Sequence, residues 1–254
     1  MKVISYNVNG IRAAMNKGLT SWLKAVDADL VCFQEIKATE DQIDKEALSA
    51  LGYAHQYYFS AQKKGYSGVA ILSKTKPDQV VFGTGIDYMD REGRNLRVDF
   101  GEVSVMSMYL PSGTNADRLD YKFTYMDDFL DYASQLTLER PKLLVVGDYN
   151  ICHQAIDIHD PIRNKTVSGF LPEERAWMSR FLESGFVDSF RVFNQEPHQY
   201  TWWSYRANSR ANNKGWRLDY AMASEALSAH LKRSVILSDA VHSDHCPILT
   251  EFTH

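Results

Sequence analysis

Along this chain, short apolar runs end again and again at polar residues. "KVISYNV", "DLVCFQE", "GVAILS", "LRVDF", "VSVMSMYL", "KLLVVGDYN", "RLDYAMAS" and "CPILTEF" are compact, and several are rich in the β-branched and aromatic residues that strands prefer. Helical patterns separate only some of them: "GLTSWLKAV", "YKFTYMDDFLDYASQL" and "LPEERAWMSRFLES". In the last, Pro172 followed by Glu173 and Glu174 makes a favourable helix start, because proline needs no amide partner there and acids complement the helix N-terminus. "RVDFGEVSVMSMYL" joins two strands through a glycine-containing turn and reads as a hairpin. Strands that adjoin directly, mixed with strands separated by helices, predict α/β layers with mixed sheets. No low-complexity linker or fixed-period repeat interrupts the chain, so residues 1–254 read as a single domain with no tail before the first strand.

The polar strand ends are where chemistry is expected. "LLVVGDYN" fills a buried strand and then presents Asp148 and Asn150, a spacing that in extended chain sends both side chains to one face. Asn7 and Asn9 end "ISYNVNG", Glu35 ends "VCFQE" and Tyr109 ends "MSMYLP"; Asp219 lies in "RLDY", and Asp244 and His245 precede a further strand in "HSDHCP". A single polar-tipped strand is an ordinary turn signal, since Asp and Asn favour turns. Repeated along the chain, the tips predict, where they converge, a pocket of carboxylates, amides, one imidazole and one phenol. Such oxygen-rich ligation suits Mg²⁺ or Mn²⁺, and no second Cys/His pair stands at zinc-ligand spacing. Phosphodiester hydrolysis fits this pocket: it needs an activated water, neutralised phosphoryl oxygens and a stabilised leaving oxygen. Asp148 would then orient and deprotonate water and Asn150 would donate to the transition state. His245 would contact a phosphoryl oxygen or shuttle a proton, with Asp219 or Asp244 holding its other nitrogen.

Composition changes this picture only locally. The 44% apolar content is ordinary for a globular chain, and a net charge of −4 offers nucleic acid no global attraction, so a polyanion must be met by local cations or by metal. Cys32, Cys152 and Cys246 are odd in number and far apart, which points to a reducing compartment and away from a disulfide framework. The N-terminus turns polar at Asn7, too early for a signal-peptide core, and no apolar segment has the length of a bilayer span. A cytoplasmic protein with no membrane partner is expected. The local exception is "PHQYTWWSYRANSRANNKGWRL", which holds three of the five tryptophans together with Arg206, Arg210, Lys214 and Arg217, and no acid. Cations attract phosphates and aromatic faces stack on bases or sugars, so the segment reads as a DNA contact or as a cation-capped aromatic cluster supporting the core.

"NVNGIRA", "FQEIK", "GYSGVAILS", "YLPSG", "GDYNICH", "GWRLDY" and "SDHCP" occur in this order over almost the whole chain. Together they resemble the exonuclease III and apurinic/apyrimidinic endonuclease family of the endonuclease/exonuclease/phosphatase superfamily. "GDYN" and "SDH" are shared with superfamily phosphatases and sphingomyelinases; "GWRLDY", "GYSGV" and "FQEIK" are more specific to the DNA-repair branch. The resemblance implies an α/β four-layered sandwich of the deoxyribonuclease I-like kind, two packed mixed sheets flanked by helices. It also implies a monomer that cleaves double-stranded DNA 5′ to abasic sites with Mg²⁺ or Mn²⁺, with 3′-to-5′ exonuclease and 3′-phosphatase activity on blocked 3′ ends.

By the same resemblance, Glu35 with Asn7 or Asn9 are the principal metal ligands. Asp148, Asn150, Asp244 and His245 are further metal-site residues, with Asp244 adjacent to a second metal position, and whether one ion or two bind stays open. Asp148 is the proton acceptor with Asn150 as its partner, although His245 is the base in other mechanisms for the family. Asp219 and His245 form the carboxylate–imidazole pair, and Tyr109 is the phenol at the phosphate. Trp202, Trp216 and Leu218 resemble a pocket for a flipped-out baseless sugar, Arg206 a side chain inserted into the duplex, Tyr66 a minor-groove contact and Asn164 a substrate-positioning amide. Asn9 stands where some relatives carry aspartate, and Val167 where the eukaryotic pattern carries asparagine. A phosphatase or phosphodiesterase acting on inositol or lipid phosphates would leave the basic aromatic segment unexplained. A non-catalytic nucleic-acid-binding module would leave Glu35, Asp148 and His245 unexplained.

Overall fold

The computed structural model describes residues 1–253. Twelve strands form two six-stranded sheets. They are β1 (Lys2–Asn7), β2 (Leu30–Gln34), β3 (His55–Phe59), β4 (Val69–Ser73), β5 (Gln79–Phe82), β6 (Asn95–Phe100), β7 (Val103–Tyr109), β8 (Lys142–Asp148), β9 (Phe186–Asp188), β10 (Asp219–Ser224), β11 (Leu231–Ile236) and β12 (Ile248–Phe252). One sheet runs β11-β12-β1-β2-β4-β3, the other β5-β6-β7-β8-β10-β9. Both are mixed: β1 pairs parallel with β2 and β7 with β8, while the remaining neighbours are antiparallel. The expected hairpin is β6–β7, with Phe100 opposite Val103.

Every strand expected from an apolar run is present, and the four that the pattern missed, β3, β5, β9 and β11, are the outer edges of the two sheets. The reason is burial. Central strands such as β2 and β4 are buried at every position, whereas every residue of β5 and all of β11 but Ser234 are partly or fully exposed, so neither carries a long apolar run. An edge strand with charged residues also resists pairing with another chain.

Alternation along each strand sorts the apolar residues into three cores and so makes four layers. Val3 of β1 and Leu144 and Val146 of β8 point between the sheets, with Leu30, Val69, Ile71, Val98, Val105 and Ala221. The opposite phase, Ile4 and Tyr6 with Val31 and Phe33, packs against Leu19 and Leu23 of the helix Leu19–Val26. On the far side, Leu143 and Val145 pack with Tyr125 and Phe129 of the helix Ala116–Glu139 and with Trp177 and Phe181 of the helix Pro172–Glu183. Gly147 is where β7 and β8 come closest: a Cβ there would lie 1.7 Å from the Met108 carbonyl oxygen.

Candidate active site

The inward phase of the central strands turns polar toward one end of the sandwich. Past the apolar middle, Gln34 Nε2 donates to Ser107 Oγ across the sheets (3.0 Å), and Ser107 Oγ donates to the Phe33 carbonyl (3.0 Å). Level with Gln34 lies Asn7, and two residues past the Ser107–Val146 pair lies Asp148, both buried and both in the inward phase. Strand register sets the rest of the row: Asp148 pairs with Tyr109 of β7 on one side and with Asp219 of β10 on the other. Glu35 follows β2 directly with φ of 55°, a left-handed residue that turns the chain as the strand ends.

Asn7 joins the two sheets. Its Nδ2 donates to Asp148 Oδ2 (2.9 Å) and Glu35 Oε2 (3.1 Å), while its Oδ1 accepts from the Asn9 amide (3.0 Å). Asn9 Nδ2 in turn donates to Asp244 Oδ1 (2.9 Å), and Trp202 Nε1 donates to Asp244 Oδ2 (3.0 Å). Asp219, not Asp244, holds the imidazole: His245 Nδ1 lies 2.8 Å from Asp219 Oδ2, and His245 Nε2 lies 3.8 Å from Asp148 Oδ2. Asn150 donates its amide N–H to Asp148 Oδ1 (2.8 Å). Its Nδ2 donates to the Leu110 carbonyl (2.9 Å) and points weakly at Asp148 Oδ2 (3.4 Å). The Asn150 backbone donor is thus taken up by Asp148 and its side-chain donor chiefly by the Leu110 carbonyl.

Burial, followed by the nearby Asp219 charge, pushes the Asp148 carboxyl well above the usual carboxylate range, against the pull of His245. Burial works against the charged imidazole of His245, but Asp219 and Asp148 outweigh it and hold its pKa far above the ordinary value. A charged imidazole there is a donor that faces both carboxylates.

The donors suit a hard cation. Glu35, Asn9, Asp148 and Asp244 line one cavity of about 450 Å³, and every one of them offers oxygen. Lys37, which the sequence did not mark out, stands in for a cation here: its Nζ lies 2.8 Å from Glu35 Oε1 and 2.6 Å from Asn9 Oδ1. Asp148, Asp219 and His245 form a second buried cluster able to hold a metal ion, and Asp219 Oδ1 is buried there with no hydrogen-bond partner.

The same cavity is walled by Tyr109, Trp202, Trp216, Leu218, Val167, Ser168 and Gly169. Trp202 and Trp216 meet edge-on, 6.1 Å between ring centroids, because their backbones exchange amide–carbonyl bonds of 2.9 Å. Thr201 Oγ1 accepts from the Leu218 and Asp219 amides, fixing this apolar wall to the start of β10. Tyr66 stands just outside the cavity, its hydroxyl accepting from Arg94 (3.1 Å) and Arg118 (3.0 Å). Arg206 is exposed on the neighbouring loop. Asn164 does not line the cavity; its Nδ2 donates to the His159 and Asp160 carbonyls and closes its own turn.

The basic aromatic segment divides in two. Arg217 is buried, its Nε donating to Asp157 and a terminal nitrogen pairing with Asp188, each at 2.8 Å. Arg210 donates to the carbonyls of Ser238, Ala240 and Ser243, clamping the loop that delivers Asp244. Only Arg206 and Lys214 among the four cations are exposed. Sequence could not tell them apart, because the acids that neutralise Arg217 lie 60 and 29 residues away.

Three comparisons bear on this geometry. The chain is 44% identical to the exodeoxyribonuclease of Bacillus subtilis strain 168 over 251 residues, 98% of each chain. It is 40% identical to the DNA repair nuclease APEX1 of Danio rerio, covering 98% of this chain and 81% of the relative. The solved 3′ phosphatase NExo from Neisseria, bound to a product DNA hairpin, superposes with a TM-score of 0.92 at 27% identity, covering all of both chains. The model of the Endonuclease/Exonuclease/phosphatase family matches residues 4–245. With strands, site and relatives in agreement, the chain belongs to the Endonuclease/Exonuclease/phosphatase family.

Proposed function

We propose that this chain, a hydrolytic nuclease of the DNA-repair kind, cleaves double-stranded DNA 5′ to abasic sites and trims or unblocks 3′ ends. It does so as a single-domain monomer using Mg²⁺, with Mn²⁺ as a substitute. The observation that carries the proposal is one cavity in which Asp148, His245 and Glu35 share walls with the apolar recess of Trp202, Trp216 and Leu218. Phosphate chemistry and a seat for a sugar without its base are thereby side by side, and an intact nucleotide is rejected by size. An intracellular, reducing location is supported by three free and buried cysteines. Among the described residues no helix is long and apolar enough to cross a membrane.

Glu35, Asn7 and Asp148 would hold the ion, with Asn9 and Asp244 on its outer side. When bound, Mg²⁺ neutralises phosphoryl and leaving-oxygen charge. Asp148, its carboxylate oriented by the Asn7 side chain and the Asn150 amide, takes the proton from the attacking water. His245, charged and braced by Asp219, donates to a phosphoryl oxygen. Tyr109 and the Trp202–Trp216 wall bound the space in which sugar and phosphate lie. A chelator-sensitive nicking assay on abasic duplex, intact duplex and inositol phosphates tests the proposal. Internal nicking of the abasic duplex alone is expected, with the intact duplex shortened only from its 3′ ends, and both are abolished by chelator and restored by Mg²⁺. Equal turnover of inositol phosphates, or full activity in excess chelator, would overturn it.

A further inference from the structure

Behind the tip of β8 lies an ion pair that the hydrolytic steps do not use. Lys122, on the helix Ala116–Glu139, and Glu174, in the first turn of the helix Pro172–Glu183, are fully buried with Nζ 2.6 Å from Oε1. A buried pair is weak evidence for stability, because desolvation of both charges offsets most of their attraction. Of its remaining hydrogen bonds, one caps the helix Pro172–Glu183 at Leu171 and the others go to the site. Lys122 Nζ donates to the Asn150 carbonyl (2.8 Å). Glu174 Oε2 accepts from the Gly169 amide (2.6 Å) and the Leu171 amide (2.9 Å), and its Oε1 accepts from Ser168 Oγ (3.1 Å). Ser168 and Gly169 form a wall of the cavity. Gly169 has φ of 97°, and a Cβ there would sit 3.0 Å from the Trp216 ring and 3.4 Å from the Asn150 carbonyl oxygen. The wall is therefore pressed against Trp216 on one side and the β8 tip on the other.

We propose that Lys122 and Glu174 are positioning residues that set the width of the sugar recess by tying the Ser168–Gly169 wall to the Asn150 backbone, facing Trp216. The inference rests on the assignment of that recess to a baseless sugar. Without the pair, the wall is free to move off Trp216, and the fit that separates a bare sugar from a full nucleotide is lost.

The test uses the full chain and a duplex carrying one tetrahydrofuran residue, a stable baseless sugar, against the same duplex intact. Both are titrated in excess chelator, so that no cleavage intervenes. Lys122→Met combined with Glu174→Gln removes both charges at once, leaves no unpaired ion in the core and keeps a carbonyl for the Gly169 amide. The preference for the tetrahydrofuran duplex should fall about tenfold, the effect of losing one charge-assisted hydrogen bond that orders the wall. Affinity for intact duplex should hold, and with Mg²⁺ the KM for abasic DNA should rise by more than kcat falls. Ser168→Ala, which leaves the ion pair whole, should shift the preference the same way by a smaller factor. Unchanged preference in both variants overturns the inference; if the double variant no longer melts cooperatively, Ser168→Ala alone decides. Trp216→Ala separates the two ideas. If it too leaves the preference unchanged, the recess assignment falls and the inference with it; if it alone lowers the preference, only the positioning role fails.

Discussion

At the scale of single residues, Asp148 carries the most weight, because it touches Asn7, Asn150 and His245 together. Asp148→Asn keeps the shape and removes the anion. Turnover on abasic duplex should fall by roughly a hundred- to ten-thousand-fold, the range for loss of a general base, while duplex affinity holds or rises because a negative charge near the phosphate is gone. Steady-state kinetics beside a binding titration check this, and near-normal turnover would shift the base to His245. The candidate site was legible because strand tips carry it: Asn7, Glu35, Tyr109 and Asp148 stand where an apolar run breaks off, and Asp219 and His245 where one begins. What each side chain binds was not. The residues alone left Asp219 and Asp244 open as partners for His245, the family resemblance pointed to Asp219, and the fold shows why: Asp219 lies opposite Asp148 and meets the imidazole, whereas Asp244 is drawn away by Asn9 and Trp202.

At the scale of elements, the approach of β7 to β8 makes a sharp demand at Gly147, beside Asp148. Gly147→Ala would drive a methyl into the Met108 carbonyl. The expected cost is about 1–3 kcal/mol or more, as for overpacked cores, seen as a lower Tm with kcat reduced through displaced Asp148. The loop 153–160 supplies a second case. Burial opposes the charge on Asp157, but Arg217, with help from Arg191, holds its carboxyl below the usual range. A carboxyl depressed in the fold contributes stability that is complete above its unfolded value, near about 4, and is lost as pH falls through the folded value. Asp157→Asn should therefore flatten the fall of Tm with acid, read from melts between neutral pH and about pH 3. These elements mark where sequence reading stops. Interior strands were legible from continuous apolar runs; the edge strands and the buried Arg217, Lys122 and Glu174 were not, since a charged residue is paired or solvated according to neighbours far off in sequence.

At the scale of the whole molecule, Glu35 comes from one sheet and Asp148 from the other, with only the Asn7 amide between them. A cation held by both carboxylates binds the folded state alone, so Mg²⁺ should raise Tm in proportion to its saturation. At a hundredfold excess over Kd the gain is about 2.7 kcal/mol, and Glu35→Gln should remove most of it in parallel melts. The straddling site also makes this protein a gauge of its own mechanical integrity. Slippage between the sheets by less than the length of a hydrogen bond would leave each sheet's ladder, and so the far-UV circular dichroism, untouched while separating Asp148 from Glu35. In rising urea, catalysis should fade at concentrations where the backbone signal is still native, and the gap between the two curves measures how firmly one half of the sandwich is seated on the other.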